Sequence, residues 1–195
     1  MTEAKTSTNP ALDAIFTAYG GHRSIAQGAL PEVAKAAKAF TDAQPSLGVL
    51  ILEDTTCRIV DVDLSGDLLL VERKAAHHPR PTLPQSDQPS SQKITLLPRH
   101  WQWLQSQADN PSATLRRLID QARRDPEQQR ADRQRQAQLL TYRFCQALCG
   151  DLAGFEESMR ALYRQDKPAF FSHTENWPED MATRARALAD ENWLD

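Results

Sequence analysis

No stretch of this 195-residue sequence is apolar for long enough to cross a bilayer, which takes about 20 consecutive apolar residues. The first ten residues, MTEAKTSTNP, lack an apolar core, so a secretory leader is not expected. Cysteine is scarce and odd in number: Cys57, Cys145 and Cys149. Without an export signal, that points to free thiols in a reducing, cytoplasmic setting and away from a disulfide-stapled scaffold. Glycine is also sparse. Gly20-Gly21, the one adjacent pair, lacks the spacing of a phosphate-cradling loop. No Ser/His/Asp or Cys/His set has motif support, so no catalytic residue, no enzyme and no cofactor is expected.

The sequence contains a succession of short elements. Residues 1–10 are a polar tail. From Ile15 to Leu30, Gly20-Gly21 sits between two sparsely apolar stretches, which predicts strand, tight turn, strand. Pro31 then opens a helix with Val33, Ala36, Ala37 and Phe40 on one face, ended by Pro45. Leu47–Leu52 and Arg58–Val62 read as strands joined by the Asp54-Thr55-Thr56 turn. Gly66–Ala76 reads as a helix burying part of Leu68, Leu69 and Leu70. Roughly residues 13–63 thus give the order ββαββ, and with the helix that follows they make a small α+β unit over residues 11–78. Residues 79–92 hold Pro79, Pro81, Pro84 and Pro89 among Ser and Gln, the composition of an extended linker.

At the other end, residues 125–195 predict a helical bundle. Pro126 starts a long helix to about Cys149, polar in its first half and carrying Leu139, Leu140, Phe144 and Leu148 in its second. Leu152, Phe155, Met159 and Leu162 step along a further helix. Asp166 caps another with Phe170 and Phe171 inward, and Pro178 starts the last, with Met181, Ala185 and Leu188 on its core face.

Between them lies the most basic part of an acidic chain. The net charge is −3 overall, yet residues 93–124 carry six Lys and Arg against two Asp, whereas residues 125–195 carry nine against thirteen Asp and Glu. Lys93-Ile94-Thr95-Leu96 alternates like a strand, with Ile94 and Leu96 to one side and Lys93 and Thr95 to the other. Pro98 ends the strand and starts a helix with Trp101, Leu104 and Ala108 on one face. Ser112 is expected to cap a second helix, in which Leu115, Leu118, Ile119 and Ala122 form an apolar stripe. About thirty residues cannot bury that stripe alone, and the strand has no neighbour in sequence. Both problems vanish if two chains pair their strands and interlock their helices. The dimer core would then be Ile94, Leu96, Trp101, Leu104, Leu115, Leu118 and Ile119.

This segment resembles the ribbon-helix-helix fold of bacterial repressors of the Arc and CopG type. The resemblance implies double-stranded DNA as a partner: Lys93 and Thr95 match the base-reading strand, Ser112 and Ala113 the phosphate-binding helix start, and Arg116 and Arg117 approach phosphates. Apolar Leu97 stands where a polar residue is common. The runs TLLPRHWQWL, LRRLIDQARR and YRFCQALCGDLAGFEESMRALY are similar to the bacterial family called domain of unknown function 2239, over about Phe16 to Leu188. That resemblance implies no particular activity. Its members commonly carry a Gly-Arg-Pro-Lys-like hook before the strand; here Pro79-Arg80-Pro81-Thr82 stands there, and Arg80 and Pro81 fit.

Other residues invite sharper readings that yield to simpler ones. Cys145 and Cys149 are four apart and could join His173 on a metal, but buried small hydrophobes are the simpler assignment, and no metal is expected. Asp61 and Asp63 could chelate magnesium, but a solvated strand face is simpler. His77-His78 read as loop residues and His100 as a surface partner of its helix. The sequence therefore points to a dimeric cytoplasmic DNA-binding regulator. An interaction module that dimerises without DNA is the first alternative, and an enzyme with an unrecognised site the second.

Overall fold

The computed structural model describes residues 14–79 and 93–193. The expected tail and hook residues Arg80 and Pro81, and the expected linker beyond Pro79, lie outside the described residues. The chain is α+β and divides into two compact units, one formed by residues up to 79 together with 134 onward, the other by residues 80–133.

In the first unit, β1 (Phe16–Gly20) and β2 (Arg23–Gly28) form the expected hairpin. The two glycines have different tasks. Gly21 takes φ +57, which costs a residue without Cβ nothing, whereas a Cβ on Gly20 would come within 2.5 Å of the Phe40 ring. Helix α1 (Leu30–Ala43) follows, and β3 (Val49–Glu53) pairs antiparallel with β1. Strand β4 is shorter than expected, Arg58–Ile59. The sheet order is β2-β1-β3-β4.

All five residues of β1 are buried. Successive side chains point to opposite faces, so a strand covered on both sides is buried at every position, the polar Thr17 included. On one face, Phe16, Ala18 and Ile51 pack under Leu30, Val33, Ala34 and Ala37 of α1 and Val71 and Ala75 of α2 (Leu68–Ala76). Leu68 and Leu69 do not contribute: they are exposed, because the Asp67 cap, which accepts from the Leu70 amide at 2.8 Å, sets a helical phase that turns Val71 and Ala75 inward.

On the other face, Tyr19 and Leu52 join a core with Phe144, Cys145, Leu162, Phe170 and Met181. These come from α5 (Pro126–Leu148), α6 (Phe155–Tyr163), α7 (Lys167–His173) and α8 (Glu179–Leu188). The sequence separates 11–78 from 125–195, but the strands' second apolar set needs a cover that α1 cannot supply, and the C-terminal helices supply it. Asp166 caps α7 as expected, accepting from the Ala169 amide. Gly154 opens α6 at φ +82, where a Cβ would stand 2.7 Å from the His173 carbonyl oxygen. The last described element is a 3-10 turn, Asp190–Trp193, in which the Asn192 side-chain amide donates to the Leu162 carbonyl at 2.9 Å.

Candidate functional site

The second unit contains α3 (Pro98–Gln105), α4 (Pro111–Arg124) and the first residues of α5. The expected strand ahead of α3 is absent: residues 93–97 pair with no strand among the described residues. A strand is defined by its neighbour, and a single chain offers this segment none. Lys93, Ile94 and Thr95 are exposed, Ile94 at 66 %, and only Leu96 is half-buried.

Pro98 occupies the first turn of α3, as expected. Leu104 is buried, whereas Trp101 and Trp103 keep 42 % and 49 % of their surface exposed. The cap of α4 is Asn110 and not Ser112. Pro111 has no N–H to give and fits the first helical position, which moves the cap one residue before it. Asn110 Oδ1 accepts from the Ala113 amide at 2.9 Å. Of the two residues the sequence offers to a phosphate at this helix start, Ala113 therefore has its amide already engaged.

Helix α4 has two unlike sides. Leu115, Leu118, Ile119 and Ala122 recur at helical spacing on one of them. Leu115 and Leu118 are only half-buried, Ile119 is 55 % exposed and Ala122 is exposed. At 100° per residue, Arg117 and Arg124 fall on the opposite side with Asp120 beside them, while Arg116 and Arg123 lie on the flank between the two sides. Arg116, Arg117 and Arg124 line a shallow groove where α4 turns into α5, closed at its end by Asp125 and Pro126. Asp125 is occupied in part as a cap, accepting from the Glu127 amide at 3.0 Å. Arg117 stands 4.0 Å from Asp109, both largely exposed, a pair that contributes little. Among the described residues Arg116, Arg123 and Arg124 form no ion pair.

The remaining singled-out residues have structural partners. Cys57, Cys145 and Cys149 are free and buried. The contact with Cys149, then burial, raises the Cys145 thiol well above its usual range, and burial pushes Cys57 up to about 11, so these are inert thiols. Among the described residues no group of three His, Cys, Asp or Glu is placed to hold a metal ion. Asp63 accepts from Lys74 Nζ at 2.7 Å and from the Ser65 amide at 2.9 Å, which hold its carboxyl well below the usual range. His78 Nε2 lies 2.7 Å from the Asp61 carbonyl, and His77 Nδ1 2.8 Å from that of Arg73. His100 lies 3.4 Å from its neighbour Arg99.

The sequence gives no functional reading to any residue of a second polar set in the first unit, Thr17, Gln27, Asp54 and Arg184, with Asp54 read only as part of a turn. Its one local signal is a threonine inside the buried strand β1. The long-range pairing with α8 leaves no trace in residue spacing.

Among the described residues no helix is long and apolar enough to cross a membrane. No curated protein and no solved structure matches the chain. A family model does match, over residues 15–189, and by it the chain belongs to the family described as uncharacterized protein conserved in bacteria (DUF2239).

Proposed function

We propose that residues 93–124 join two copies of this chain and that the resulting dimer binds double-stranded DNA as a non-enzymatic regulator in the cytoplasm. The observation that carries this is the two-sided character of α4. Its apolar side stays open in the single chain, with Ile119 55 % exposed, and the helix carries four arginines against the single carboxylate Asp120. An open apolar stripe on an amphipathic helix calls for a partner surface. A second copy of the same helix is self-complementary to it. Lys and Arg that neutralise phosphates release counterions, which supplies most of the affinity of such proteins for duplex DNA. In a paired ribbon, Lys93 and Thr95 would face base edges, and Arg116 and Arg117 the backbone.

The exposed Trp101 and Trp103 favour a second reading, in which the dimer docks on another protein, since large aromatic side chains are the usual anchors of such interfaces. One titration separates the two. Mobility of random duplex DNA is measured against protein at low and high salt, for the wild type and for Arg116→Ala with Arg117→Ala. DNA binding requires a salt-sensitive affinity whose slope falls by roughly two units in the double variant, one for each lost phosphate contact. A dimer with no affinity for any duplex at low ionic strength overturns the DNA reading in favour of the protein partner.

A further inference from the structure

The first unit carries a cleft of about 410 Å³ between the hairpin and helix α8. That volume falls within the roughly 300–1,000 Å³ of small-molecule sites. The strands contribute Thr17, Tyr19, Ser24 and Gln27 to it, and α8 contributes Glu179, Asp180, Thr183 and Arg184. One contact ties the two walls together: the Ser24 amide donates to Asp180 Oδ2 at 2.8 Å.

Arg184 is the unusual member. The residue is half-buried and its guanidinium carries five donors, yet among the described residues it makes one hydrogen bond, from Nη2 to the Asp54 carbonyl at 3.3 Å, and no ion pair. The Asp54 carboxylate beside it is turned away. Its Oδ1 accepts from Thr17 Oγ1 at 2.7 Å and its Oδ2 from Gln27 Nε2 at 2.6 Å. A partly desolvated arginine held next to a carboxylate that other donors have taken leaves its planar fork open to a further carboxylate. The rest of the lining bears on which one. The single cation Arg184 faces two anions, Glu179 and Asp180, so the cleft repels a ligand of purely negative charge. These two carboxylates also outweigh the roughly half positive charge at the start of α8. Asp180 and Arg184 are one helical turn apart, about 6 Å along the axis, a short span with opposite charge at its two ends.

We propose that this cleft binds a small zwitterion of the amino-acid class, its carboxylate on the Arg184 guanidinium and its ammonium toward Asp180 and Glu179. The inference is independent of the role assigned to residues 93–124. The test is calorimetric titration of the full chain with the standard amino acids at millimolar concentration. The deaminated 2-hydroxy acid and the decarboxylated amine of each are titrated in parallel, and inorganic phosphate is the oxyanion control. At least one amino acid gives a saturable isotherm, and its hydroxy acid and amine bind at least about tenfold more weakly, each having lost one charged contact. Arg184→Gln removes the binding and Arg184→Lys retains part of it. Should Arg184→Gln not fold, Asp180→Asn and Glu179→Gln carry the test from the exposed end of the cleft, each weakening the amino acid and leaving the hydroxy acid unchanged. Absence of binding by every amino acid overturns the proposal. So does equal binding by the hydroxy acid, or amino-acid binding that survives in a folded Arg184→Gln chain.

Discussion

Replacing Ile119 by Asp tests the proposed pairing of chains with little disturbance to the single chain. Ile119 is 55 % exposed, so a carboxylate there remains in water in the monomer, and surface changes of this kind usually stay within about 0.5 kcal/mol. In a dimer sealed by the α4 stripe the same group would be buried. Fully burying such a side chain contributes about 1.5–3 kcal/mol, so the half still exposed accounts for about 1 kcal/mol. The buried carboxyl adds a larger cost. It can take up a proton, which costs about 1.4 kcal/mol for each unit between its ordinary pKa near 3.9 and pH 7, about 4 kcal/mol altogether. A two-fold dimer suffers both effects twice, for a total on the order of 10 kcal/mol, enough to abolish association at micromolar concentration. The assay is sedimentation velocity on the full chain, with circular dichroism to show that the variant keeps its helices. Wild type is expected as a dimer and Ile119→Asp as a monomer at pH 7, with part of the association returning as pH falls through about 4. A wild-type monomer at micromolar concentration, or a variant that pairs as well as wild type, would refute the reasoning.

Four further outcomes are expected. Lys93→Ala should cost about 1–3 kcal/mol on a preferred DNA site and little on random duplex, measured by competition titration; equal loss on both would remove Lys93 from base reading. Asn110→Ala should destabilise the second unit by about 0.5–2 kcal/mol while Ser112→Ala stays within about 0.5 kcal/mol, by denaturant titration, because Asn110 holds the Ala113 amide. Gly154→Ala should lower stability by about 1–3 kcal/mol, since the new Cβ meets the His173 carbonyl at φ +82, and an unchanged midpoint would count against this. The Cys57 pKa is raised from 9.0 to about 11, so the stability it contributes is complete below about pH 9 and is lost as pH rises toward 11. Cys57→Ala should flatten that decline, and a thiol reagent at pH 8 should label the native chain far more slowly than the unfolded one.

Much of the local structure was legible because single residues dictate it. Gly20-Gly21 marks the hairpin, Pro31 and Pro98 sit in first helical turns, and Asp166 caps its helix. Errors arose where one rule displaced another. Ser112 is a good cap, but Pro111 had already fixed the start of α4. Leu68, Leu69 and Leu70 suggested partial burial, but only Leu70 is partly buried, and the phase set by Asp67 turned Val71 and Ala75 inward. The alternation in 93–97 is real, but a strand also needs a neighbour. The core around Tyr19 and Phe144, whose rings meet at 5.7 Å, joins residues more than a hundred positions apart, beyond the reach of any periodicity. For the same reason the amphipathic α4 was visible in the sequence, whereas the cleft at Arg184 depends on the close approach of α8 to β2 and was not.

The sheet's second face bears on how the chain is made. During synthesis β1 to β4 and their cover α1 leave the ribosome early, but the residues that close over Tyr19 and Leu52 run from Phe144 to Ala189. At about 5–20 residues per second, synthesis from the end of β4 to Ala189 takes roughly six to twenty-six seconds. For that interval the nascent chain carries a half-covered sheet with an apolar side in water, while residues 80–133 emerge in between. A polypeptide truncated before Phe144 would stay in that state, which makes the residues from Phe144 onward the step that commits the chain to its native fold.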